Sequence, residues 1–110
     1  MTAPQSHEAT ELYLHTTSTE GLYRLSVVPT LDNLAKKIVK GSYDSTRALI
    51  AWGHVATKAA KNYHKMHCDN SVAWFEIFPV AALFRVATEL QEYFAEQLAD
   101  IVTDLQAKKA

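Results

Sequence analysis

Cysteine, glycine and proline are scarce in this chain: one, three and three among 110 residues. Each scarcity excludes something. A lone cysteine cannot close an internal disulfide, which fits a reducing compartment. So few turn-forming residues cannot punctuate a many-stranded β fold. No run of about 18 apolar residues occurs, so no membrane-spanning helix and no membrane partner are expected. The opening stretch MTAPQSHEATELYLH has neither the basic start nor the apolar core of a signal peptide. Phosphate loops, dinucleotide fingerprints, zinc ribbons and hydrolase elbows are absent, so no cofactor is expected. These absences point to a cytosolic protein.

What is present is apolar: 48% of the chain, which excludes disorder. The length suits one domain, 1–110, with patternless residues 1–7 expected to be flexible. The net charge of −1 hides a split. Glu8, Glu11 and Glu20 give residues 1–20 a charge of −3. Residues 21–68 carry eight Lys and Arg against Asp32 and Asp44, or +6. Residues 69–110 carry three against seven, or −4. A basic middle between acidic ends either meets an acidic partner or is neutralised within the fold.

Periodicity predicts an all-α fold of three main helices, about 18–40, 44–67 and 79–108, with short helices near 8–15 and 72–78. Thr17 and Glu20 have the spacing of a capping box for the first. Leu31, Leu34, Ala35 and Ile38 share one face, and Gly41 suits a left-handed C-terminus. Pro29 removes a helix hydrogen bond, so a kink or break is expected near Val28. Asp44 or Ser45 caps the second helix, whose apolar line is Leu49, Trp52, Ala56, Ala59, Tyr63 and Met66. Asn70 or Ser71 is expected to start the turn holding Trp74, Phe75, Ile77 and Phe78, which plugs one end of the core. After Pro79, Leu83, Ala87, Leu90, Phe94, Leu98, Ile101 and Leu105 form the stripe of one long helix. Phe84 and Tyr93 also fall at core spacing.

The stretch NYHKMHCD puts His64, His67 and Cys68 at helical spacings of three and four. Such a pair can seed a zinc site, but zinc takes three or four ligands. His7, His15 and His54 stand singly, and no second cysteine exists. A cysteine nucleophile would need an orienting group and an oxyanion site that the sequence does not display. The simpler reading is a helix C-terminus, where histidines meet the negative end of the dipole and Cys68 packs as a small hydrophobe. No metal ligand and no catalytic residue is therefore assigned. A small metal-binding or catalytic protein using His64 and Cys68 stays as an alternative.

The polar face of the same helix is more distinctive. Arg47, His54, Lys58, Lys61 and Lys65 are spaced 7, 4, 3 and 4, with no acid among them. This is either a solvated face or a contact surface for an acidic protein or phosphate backbone. No aromatic residue interleaves the lysines, so no base-stacking platform is indicated. Glu89, Glu92, Glu96, Asp100 and Asp104 form the opposite stripe on the long helix. Outward stripes of opposite sign invite pairing between copies, so a homodimer through the C-terminal helix is expected.

Leu22-Tyr23-Arg24, Pro29, Asn33-Leu34, Lys37, Lys40-Gly41, Tyr43-Asp44, Trp52, Val55-Ala56, Ala60-Lys61 and Tyr63 form a pattern. Over about residues 22–94 it resembles a family of small all-helical proteins of bacteria and bacteriophages that carry no established activity. The resemblance implies a compact helical domain of phage or mobile-element origin, and it supplies no catalytic residues. The expected function is non-enzymatic binding to a host protein through the basic helix face. A nucleic-acid-binding helical module is the alternative.

Overall fold

The computed structural model describes residues 7–67 and 71–109. The fold is all-α, with no strand among the described residues. Helix α1 spans His7–Ser18, and Thr19 turns the chain into the short α2, Glu20–Leu22. A π-helical turn, Tyr23–Val27, leads into α3, Val28–Lys40. Helix α4 is Ser45–His67, α5 is Trp74–Ile77, α6 is Val80–Tyr93 and α7 is Ala95–Lys109. Helices α1, α4 and α6 pack together, while α7 lies mainly on α3. The molecule measures 54 × 32 × 19 Å, with a radius of gyration of 15.2 Å. A sphere-like chain of this length would have about 13 Å, so the bundle is elongated.

Local chemistry explains most of the boundaries. Gly41 takes φ 80°, and its N–H donates to the Ile38 carbonyl while the Ser42 N–H reaches Lys37. This double closure ends α3 as the glycine suggested. The Asp44 carboxylate accepts from the N–H groups of Thr46 at 2.8 Å and Arg47 at 3.2 Å, capping α4.

Four expectations need correction or refinement. First, Thr17 and Glu20 make no capping box, because α1 runs on to Ser18 and the Thr17 hydroxyl donates back to Tyr13. His7 likewise belongs to α1; the expectation of flexibility for residues 1–6 lies outside the described residues. Second, the kink or break expected near Val28 takes the form of a π turn, after which a regular helix starts at Val28. The preceding turn widens, and the Val28 N–H donates to the Tyr23 carbonyl five residues back. Pro29 then sits in the first turn of α3, where its missing N–H is harmless.

Third, the long C-terminal helix divides at Phe94, which leaves helical geometry at φ −96°, ψ 7°. Hydrogen bonds still pass through it, from the Phe94 N–H to Leu90 and from the Leu98 N–H to Phe94. Fourth, several residues at core spacing are on the outside. Trp52, Phe78 and Phe94 are buried, whereas Met66, Phe75, Phe84 and Tyr93 are exposed. The 74–77 turn begins after Ala73, whose N–H donates to the Glu76 carboxylate, and not after Ser71. Asn70, the other start considered, lies outside the described residues.

The core forms where the helices meet: Leu12 from α1, Val27 and Leu31 from the π turn and α3, Trp52 and Val55 from α4, Val86 and Leu90 from α6. Buried Thr16 satisfies its hydroxyl on the Leu12 carbonyl at 2.7 Å. Among the described residues no helix is long and apolar enough to cross a membrane.

Candidate interaction surface

Helix α4 is central to the bundle and is therefore fixed in rotation. Ala48, Trp52, Val55, Ala56, Ala59 and Ala60 are buried and define its inner face. At about 100° per residue, Arg47, His54, Lys58, Lys61 and Lys65 then fall within about 60° of one another on the opposite side. All five are exposed. Among the described residues none of them forms an ion pair; Arg24–Glu20 joins the π turn to α2, and Arg85–Glu89 lies within α6. Lys61 has a ring partner, its Nζ lying 5.4 Å from the centre of the Trp74 ring. Arg47, Lys58, Lys61 and Lys65 make the stripe a ridge of cations on one helix, with His54 in the same line.

The acidic stripe does not neutralise it. Glu92, Glu96, Asp100 and Asp104 are exposed, and Glu89 lies 3.7 Å from Arg85 on its own helix. Among the described residues no ion pair joins the two stripes. The charge split of the sequence therefore persists on the surface.

The histidines of NYHKMHCD are engaged separately. The His64 Nε2–H donates to the Val72 carbonyl, closing the end of α4 onto the next segment. His67 packs its ring on Tyr63, with centroids 4.8 Å apart, and faces His15 of α1 at 6.1 Å. The His15 Nε2–H donates to the Asn62 side-chain oxygen at 2.8 Å. Cys68 lies outside the described residues. Among the described residues, no three His, Cys, Asp or Glu side chains come together as metal ligands. His15 joins this edge from 47 residues away and carries no local signal of doing so in the sequence.

On the other side of α6, Tyr13 packs edge-on against Tyr93 at 5.9 Å. Burial, with Tyr93 and Glu89 adding to it, raises the Tyr13 hydroxyl above its usual value.

No protein-family model, no curated protein and no solved structure matches the chain.

Proposed function

We propose that the chain is a non-enzymatic binding protein that contacts another protein through the basic face of α4. One observation supports this above others: five cationic or titratable basic side chains, Arg47, His54, Lys58, Lys61 and Lys65, share one exposed face with no ion pair among the described residues. A face of one sign on a rigid helix favours an oppositely charged partner and raises its rate of encounter. The single cysteine and the resemblance to small bacterial and bacteriophage proteins support a cytoplasmic setting, a phage or mobile-element origin and a host protein as the partner. A homodimer through α7 belongs to the same reading; it draws on the half-buried Ile101, Val102 and Leu105 beside the acidic stripe.

Affinity capture from bacterial lysate, repeated with Lys58→Glu, Lys61→Glu and Lys65→Glu combined, tests the reading. A partner protein should be lost with the triple variant while its helical circular dichroism is unchanged. A partner retained by the variant overturns the basic face as the contact. Nucleic acid recovered in place of protein, with affinity falling steeply as salt rises, selects the nucleic-acid alternative. Light scattering at physiological salt tests the dimer, and a monomer mass overturns it.

A further inference from the structure

The basic ridge borders a groove. It lies between α4 and α6 and is floored by Leu49, Gly53 and Leu83, with Ile50, Val80 and Phe84 on its walls. Those three wall residues are 56%, 80% and 60% exposed, a concentration of large apolar side chains that water disfavours. The groove encloses about 430 Å³, against about 140 Å³ for the depression on the opposite flank of α4. No acidic residue lines it, and His54 of the basic stripe forms part of its edge.

Gly53 adds a second, independent observation. Glycine inside a helix is less stable than alanine by about 1 kcal/mol. Tight packing within the chain would justify it, but a Cβ at Gly53 would meet nothing within 4 Å beyond its chain neighbours and its own helix backbone. The glycine therefore leaves a dent in the groove floor that the chain itself does not fill.

We propose that this groove docks an acidic amphipathic helix of a partner protein, its apolar face over Gly53 and its carboxylates against the basic ridge. The proposal rests on the reading that the basic face of α4 contacts a protein. The groove runs along α4 from Thr46 to Thr57, which at about 1.5 Å per residue accommodates roughly three turns of an incoming helix. Such a helix presents anchors at i, i+3 or i+4, and i+7. One anchor sits over the dent at Gly53, between Ile50 and Phe84. Acids on the flank nearest α4 meet His54, Lys58 and Lys61. A phosphate backbone would satisfy the ridge but leave the apolar walls wet. The chain's own acidic helix, α7, does not fit the role, because it already lies along α3 with Leu98 packed on the core.

The test is selection from a phage-displayed library of helical peptides, followed by fluorescence anisotropy on the enriched sequences. Enriched peptides should combine apolar anchors at i, i+3 or i+4 and i+7 with Asp or Glu along one flank. Their affinity should fall at least tenfold with Gly53→Leu, which fills the dent, and with Phe84→Ser, which strips a wall without touching the core. Enriched peptides without an acidic bias overturn the proposal. So does binding that ignores both groove variants yet is lost with Lys58→Glu and Lys61→Glu, a result that leaves the basic-face reading standing. Groove binding that ignores the lysine changes overturns both. Sedimentation of the protein alone completes the test: a dimer dissolved by Phe84→Ser puts a second copy in the groove and rules out the proposed occupant.

Discussion

The indole of Trp52 lies flat on the ring of Phe94, with centroids 5.5 Å apart and planes 8° from parallel. Both side chains are buried. The contact joins the middle of α4 to the residue at which α6 gives way to α7. Tyr23 reaches the same ring from the π turn at 6.2 Å, and its hydroxyl accepts from the Gln97 amide at 2.6 Å. The stack is thus where the α1–α4–α6 cluster and the α3–α7 pair are held together. Trp52→Ala should cost about 3–5 kcal/mol, the range for deleting a buried aromatic. Domains of this kind have only about 5–15 kcal/mol in total. Urea denaturation should show a large drop in midpoint, and an unchanged midpoint would refute both the burial and the helical phase.

Asp44 tests the start of the helix that carries the basic stripe. Its carboxylate is the side-chain acceptor for two N–H groups of the first turn. Asp44→Ala should destabilise the protein by about 1 kcal/mol, while Asp44→Asn, which keeps an oxygen, should cost less. Thermal melts of the two variants side by side give the comparison. Equal losses would assign the effect to charge near the helix dipole and not to the cap.

The parts of the fold legible in the sequence are those set by local chemistry. The phase of α4 follows from Trp52, Ala56 and Ala59 alone, and Gly41 and Asp44 mark a stop and a start without help from the rest of the chain. The basic stripe was legible for the same reason, since fixing the inner face fixes the outer one. Features made by two helices meeting were not. Phe84 and Ala87 both fall within the apolar period of α6, yet Ala87 is buried and Phe84 is exposed, because α4 covers only part of that face. The division at Phe94 was hidden because an aromatic residue is an ordinary helix residue, and its stacking partner Trp52 lies on another helix. Pro29 announced a disturbance but not its form; a widened turn and a break begin from the same missing N–H. The groove lies beside the stripe on α4, but its other wall comes from Val80 and Phe84, about thirty residues further along the chain.

Tyr13 carries a prediction about pH. Burial, followed by the influence of Tyr93 and Glu89, raises its hydroxyl above the ordinary tyrosine value near 10. The folded state then keeps a proton that the unfolded chain releases at lower pH. This contribution to stability is complete below pH 10 and is lost as pH rises through the folded value. As pH rises past about 10, the wild type should lose melting temperature faster than Tyr13→Phe, which has no proton to release. Parallel slopes for the two proteins would show that the alkaline decline belongs to other tyrosines.

Gly53 offers the sharpest separation between folding and binding. It occupies the interior of α4, where the missing side chain leaves the backbone with more freedom to lose on folding. Space for a methyl group is open, and no φ restriction requires glycine, since Gly41 is the only described residue with positive φ. Gly53→Ala should therefore stabilise the isolated protein by about 0.5–1 kcal/mol. A glycine retained for packing would behave in the opposite way, because the new methyl group would collide with a neighbour. The measurement is the shift in urea midpoint at constant denaturant dependence. Loss of stability would mean that the helix uses this position within its own fold, and the dent beside the basic ridge would lose its claim on a partner.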